Sequence, residues 1–143
     1  MRTTGRRLAL IIAGAALFIA GCNMTPAEQQ SYTRINELRS SVGLPGLLGD
    51  DELTNVARAH SESMGARNEL FHSDLAAVPV TGWLAIGENV AHASTVEEAM
   101  ATLEASPIHR ANMLSASFNH IGIGIYVAPD TSVWLTQLFT TTP

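Results

Sequence analysis

Residues 86–114 read IGENVAHASTVEEAMATLEASPIHRANML, and the polar residues set into that apolar frame decide how the rest of the chain is read. Glu88 and His109 each stand among apolar or small neighbours, as if a core presented them into a cleft. Gly87, directly before Glu88, allows backbone geometry that a side chain would forbid. Thr95 and Val96 open an acidic helix that runs to about Ala105 with Val96, Met100 and Leu103 inward, and Ser94-Thr95-Val96-Glu97 reads as its capping box. Ser106-Pro107 starts another helix, Ser as N-cap and Pro at the first helical position, which puts His109 in the first turn.

Upstream, Thr25-Pro26-Ala27-Glu28 is a capping box with Pro at N1. The helix after it places Tyr32, Ile35, Leu38 and Val42 on one stripe and ends near Gly43. Leu44 to Gly49 is a turn-rich link. Asp50 or Asp51 caps a second helix, with Leu53, Val56, Ala57, His60 and Met64 on one face; His60 on that apolar side reads as a histidine held by a hydrogen bond rather than a ligand. Residues 65–93 show no clear period and contain Phe71-His72-Ser73, Trp83 and Gly87-Glu88-Asn89, a long irregular stretch of the kind that carries function. Trp83 reads as packing this loop onto the core. Downstream, Ile121, Ile123 and Ile125 alternate with Gly122 and Gly124, a strand with one bulky face and room for close approach on the other. Pro129-Asp130 turns the chain into a second strand through Val133, Trp134 and Phe139. Helices around a small antiparallel sheet predict an α+β fold, an α-β-α sandwich.

The chain has 143 residues, enough for one domain. Residues 1–21 read as a signal peptide: Arg2, Arg6 and Arg7 precede an apolar run that closes on Ile19-Ala20-Gly21-Cys22. That ending is a lipobox, which makes Cys22 the expected lipidation site and first mature residue. Residues 22–31 are expected to be a lipidated N-terminus and short linker, and residues 32–140 the folded domain. Cys22 is the only cysteine, so no disulfide supports the fold. Removing the signal leaves five arginines against thirteen carboxylates, a formal charge of −8, with no lysine anywhere. Nucleic acid is excluded as a partner by that balance. Anionic headgroups repel such a surface too, so attachment to the membrane is expected through the N-terminal lipid. The expected location is a cell membrane, with the domain facing the extracellular or periplasmic side, and the expected state a monomer.

Six motifs in order, "INELRSSVGLPGLLGDDELTNVARAHSESM", "FHS", "GENVA", "SPIHRANML", "IGIGI" and "VWLTQLF", resemble the CAP superfamily (cysteine-rich secretory, antigen 5, pathogenesis-related) in its bacterial SCP-like branch. The resemblance runs from about Tyr32 to Phe139 and implies the same α-β-α sandwich. It also implies that His72, Glu88 and His109 occupy three of the four positions of the family's central His/Glu tetrad. The fourth position, a second Glu, falls near Ser106; Glu104 lies two residues off, about 200° around a helix.

His72, Glu88 and His109 are therefore the candidate site. Two neutral imidazoles and a carboxylate suit Zn²⁺ or another divalent cation with an open water position, with His72 and His109 as metal ligands joined by Glu88. The same three residues are the candidate catalytic set of a metal-dependent hydrolase acting on peptide or cell-wall bonds. They equally suit a polar pocket in which Glu88 and the histidines bond each other and water. Three functions follow: a binding module for a small lipid-like or cell-envelope ligand, the hydrolase, or a structural protein of the envelope. The acidic surface and the missing second Glu favour the first. No G-x-S-x-G, H-E-x-x-H or phosphate-cradling loop is present, which argues against a serine hydrolase, a zincin or a nucleotide enzyme.

Overall fold

The structure, a computed structural model, describes residues 23–143; the signal peptide, the lipobox and Cys22 lie outside the described residues. The order of elements is α1 (Pro26–Ser41), β1 (Leu48–Gly49), α2 (Asp51–Arg67), a 3₁₀ turn (Leu75–Ala77), β2 (Ala85–Ala93), α3 (Val96–Ala105), α4 (Pro107–Met113), β3 (His120–Val127) and β4 (Val133–Thr141). The four strands run β1-β3-β4-β2 across one sheet. The β3–β4 and β4–β2 pairs are antiparallel and the short β1 lies parallel to β3, so the sheet is mixed rather than purely antiparallel.

The capping box of α1 forms as its residues dictate. Thr25 accepts from the Glu28 N–H, and the Glu28 carboxylate accepts from the Thr25 N–H at 2.7 Å. Residues 26–31 are therefore helix and not linker. Tyr32 and Ile35 are buried, but Val42 is 53% exposed, because it is the C-cap and its φ of −111° takes it out of the helical period. Asp50, not Asp51, caps α2, accepting from the Leu53 N–H at 2.8 Å. Thr95, not Ser94, caps α3, its hydroxyl accepting from the Glu98 N–H, while the Glu98 carboxylate reaches back to the Ser94 N–H, so the reciprocal box is not closed.

The alternation in β3 does what its glycines allow. Ile121 and Ile123 are fully buried. A methyl group at Gly122 would stand 2.3 Å from the Leu53 carbonyl carbon, and one at Gly124 2.1 Å from the backbone of Ala57 and Arg58. The backbone of α2 thus lies directly on the strand, pinned by the Ser61 hydroxyl, which donates to the Gly124 carbonyl at 3.0 Å. On the other side, Met100, Leu103, Met113, Leu135 and Phe139 join Tyr32 and Ile35 in the main core.

Arg39 is a cation built wholly into the interior. Arg39 of α1 is fully buried and donates to four carbonyl oxygens: Pro45 at 2.9 Å, Met113 at 2.8 Å, Ser115 at 2.8 Å and Phe118 at 3.4 Å. Three of those carbonyls belong to the end of α4 and the segment after it. Helix C-terminal carbonyls carry negative partial charge, which suits a cation.

The stretch 65–93 differs most from the sequence expectation. Its second half, Ala85–Ala93, is a nine-residue strand at the sheet edge, paired with β4 along its length. Gly87 is needed there for space and not for an unusual φ: a Cβ would stand 2.8 Å from the Phe118 ring. Trp83 packs the loop as expected, its indole N–H donating to the Val80 carbonyl at 2.9 Å.

Candidate functional site

Glu88 lies at the centre of β2 with its side chain 1% exposed. A buried carboxylate is costly unless donors surround it. Three do. The Ser73 N–H donates to Oε1 at 2.9 Å, the Ser73 hydroxyl to Oε2 at 2.6 Å, and His72 Nδ1 to Oε1 at 2.9 Å. A carboxylate only accepts, so His72 Nδ1 is the donor of this bond and Nε2 is on the far side of the ring from Glu88. The ring is 59% exposed. His60 closes the back of the cluster. Its Nε2 donates to the Phe71 carbonyl at 2.9 Å and stands 3.9 Å from Glu88 Oε2. The hydrogen-bonded role expected for His60 is the one the structure shows.

An amide network sets α4 against β2. Asn89, fully buried, donates to the His109 carbonyl and to Gln137 Oε1, each at 3.0 Å. Asn112 donates to the Glu88 carbonyl at 3.2 Å and to Asn89 Oδ1 at 2.8 Å. These bonds fix the helix that carries His109. Its Nδ1 is buried and has no hydrogen-bond partner among the described residues. Burial, with a smaller contribution from the nearby His72 charge, holds the His109 imidazole below its ordinary pKa, so it favours the neutral form.

The structure therefore joins His72 to Glu88 and sets His109 near them, without placing three ligands around one point. Among the described residues no group of three or more His, Cys, Asp or Glu side chains is arranged to hold a metal ion. Glu88 is engaged by its neighbours instead: Oε1 accepts from the Ser73 N–H and His72, and Oε2 from the Ser73 hydroxyl. Glu88 stands behind His72 as a carboxylate that orients its imidazole. Glu104 lies away from the site. It binds Arg34 of α1 at 2.5 Å, and Glu97 binds the same guanidinium.

Sequence reasoning singled out His72, Glu88 and His109 but not Ser73, Asn89, Asn112 and Gln137, whose hydrogen bonds hold Glu88 and the helix of His109. Ser73 was visible within "FHS" and Asn89 within "GEN"; what could not be seen was that each would serve a buried neighbour.

Beside this cluster α2 and the loop after it enclose an open groove of about 590 Å³. Val56, Ala59, Phe71, Ala77, Val78 and Pro79 make its apolar wall, and His60, His72 and Ser73 its polar end. That volume is in the usual range for small-molecule sites.

An α-β-α sandwich with a His/Glu cluster at the edge of its sheet defines the class of protein. Residues 32–139 match the CAP, or cysteine-rich secretory protein, family, and the chain belongs to it. It is 31% identical over 127 residues to the uncharacterized protein YkwD of Bacillus subtilis, covering 82% of this chain and 49% of that one, so it spans about half the length of that curated relative. Among solved structures it resembles an extracellular protein containing an SCP domain from Bacillus anthracis, with TM-score 0.70 and 26% identity over 85% of this chain and 45% of that one. An outer surface protein of Borrelia burgdorferi shares the fold at TM-score 0.74 and 20% identity, covering 82% of this chain and 93% of that one. NaASP2, solved with Zn²⁺, shares it at 0.63 and 16%, covering 84% and 83%. The two Bacillus relatives place the chain in the bacterial branch of the family.

Proposed function

We propose that this CAP domain is an exported, lipid-anchored binding module that takes a small amphiphile of the cell envelope. The observation that carries the reading is the groove: an apolar trough that ends on hydrogen-bonding side chains. An acyl or similarly apolar tail would lie along Val56, Ala59, Val78 and Pro79, and its polar head would meet the exposed His72 ring. The similarity to an extracellular Bacillus anthracis protein supports export. Among the described residues no helix is long and apolar enough to cross a membrane. The proposed anchor is the lipid on Cys22, motivated by the lipobox. A divalent ion such as Zn²⁺ would take His72 Nε2 and His109 as ligands, and would supply a positive charge for an acidic head.

Binding of a fluorescent long-chain fatty acid to the mature Cys22→Ser chain tests the reading. Saturable binding is expected. Ala59→Trp, a change at an exposed helix position, should fill the groove and abolish it while leaving the circular dichroism unchanged. Absence of saturable binding, or binding indifferent to Ala59→Trp, overturns the assignment.

A further inference from the structure

The first described residue is not loose. The Asn23 carbonyl accepts from Arg58 Nη2 at 2.6 Å, its N–H donates to Asp51 Oδ1 at 3.4 Å, and its side-chain amide donates to Asn55 Oδ1 at 3.4 Å. Asp51, Asn55 and Arg58 are spaced by four and three along α2 and so share one helical face. Arg58 is itself fixed, because its guanidinium grips the fully buried Glu28 carboxylate at 2.5 and 2.8 Å. Asn55 belongs to two structures at once. It receives Asn23 and it lines the apolar groove.

Cys22 is joined by one peptide bond to Asn23, which is hydrogen-bonded to the groove rim. We infer that Asn23 is a latch which holds the anchored end of the chain at the mouth of the groove, so that the groove opens onto the bilayer and takes its amphiphile directly from it. This rests on the binding and anchoring readings above. Electrostatics gives the latch its purpose. A mature domain of formal charge −8 is repelled by anionic headgroups, and a slack tether would let it stand off the surface by more than a Debye length, about 8 Å. Three hydrogen bonds to α2 remove that slack at the side of the domain where the groove lies.

The lipidated chain, reconstituted in phosphatidylglycerol–phosphatidylethanolamine vesicles carrying a pyrene-labelled fatty acid, provides the test. The variant carries a flexible Gly/Ser spacer of about ten residues between Cys22 and Asn23, which leaves every described residue unchanged. Transfer of probe from vesicle to protein, read as loss of pyrene excimer emission, should slow on the order of tenfold with the spacer, as the effective concentration of membrane at the groove falls. The same probe should bind equally to the non-lipidated Cys22→Ser chains with and without spacer. Equal transfer rates with intact solution binding overturn the latch and leave the groove assignment standing. Failure of the Cys22→Ser chain to bind the probe overturns the groove assignment and the latch with it. Absence of the wild-type chain from the membrane fraction overturns the anchor, and again the latch.

Discussion

Gly124→Ala isolates the contact on which the α2 wall of the groove depends. The added methyl would stand 2.1 Å from the Ala57 carbonyl carbon and the Arg58 nitrogen, where ordinary contact begins at 3.4 Å. The obstacle is helix backbone, so no side chain can swing aside, and α2 must move off β3 by roughly 1.3 Å. Overpacking of this kind costs about 1–3 kcal/mol and sometimes more; a backbone obstacle puts this case at the upper end. Loss of glycine entropy from the unfolded chain returns about 0.4–1 kcal/mol. The net cost is about 2–3 kcal/mol. With an m-value of about 1–3 kcal/mol/M, the urea midpoint should fall by about 0.7–3 M. Gly43→Ala is the control. Its φ is +79° and nothing lies within 4 Å of the new methyl, so it should cost only about 1–2 kcal/mol of backbone strain and leave fatty-acid binding intact. Gly124→Ala should weaken that binding as well, because the moved helix carries Val56 and Ala59. A midpoint for Gly124→Ala equal to wild type would refute the backbone-on-backbone packing of α2.

Ile123→Ala, at a fully buried position, should cost about 2–5 kcal/mol, and a thermal melt shifted by less than a degree would contradict its burial. Glu88→Ala leaves the Ser73 N–H without its acceptor and should cost about 1–3 kcal/mol; hydrogen exchange should show faster exchange at Ser73, and unchanged protection there would deny Glu88 its loop-holding role. Burial alone would raise the Glu28 carboxyl, but hydrogen bonds from Arg58 and Thr25 outweigh it and hold the pKa below its usual value, so the unfolded chain takes up this proton first. Stability from Glu28 is then complete above about pH 4.5 and lost as pH falls through the folded value; a Glu28→Gln chain should show a shallower acid decline in urea midpoint. The lowered His109 pKa acts in the same direction at higher pH, with stability declining as pH falls below about 6.5, and His109→Gln should flatten that limb. Calorimetry should show Zn²⁺ uptake at neutral pH that is lost in His72→Ala and His109→Ala alike and weakens as protons compete at lower pH; no uptake by the wild-type chain would leave a plain polar pocket.

Much of the architecture could be read from local signals. Capping boxes, Ser106-Pro107 and the Ile-Gly alternation each act through neighbours a few residues away, and the helices and the β3–β4 hairpin followed from them. Adjacent Ser94 and Thr95 followed by adjacent Glu97 and Glu98 offer the cap in two registers; Thr95 takes the cap position, and Glu98 bonds the Ser94 N–H. The strand β2 was not legible, because Glu88 and Asn89 sit in its middle and a strand buried there should be apolar. They are tolerated because Ser73, Gln137 and Asn112 satisfy them from 15, 48 and 23 residues away. The candidate site was legible as residue types and not as geometry: nothing near Glu88 in sequence says that Ser73, fifteen residues earlier, will donate to both of its oxygens.

Arg39 makes the first helix and the end of α4 a single mechanical piece. Releasing α1 would strand a guanidinium and orphan three carbonyls of residues 113, 115 and 118 at once, so neither region has an inexpensive way to open alone. Amide protons of α1 and of α4 should therefore exchange through one shared opening event, with the same free energy and denaturant dependence. The short helix bearing His109, seven residues long and too brief to persist unaided, borrows its permanence from a helix some seventy positions earlier in the chain.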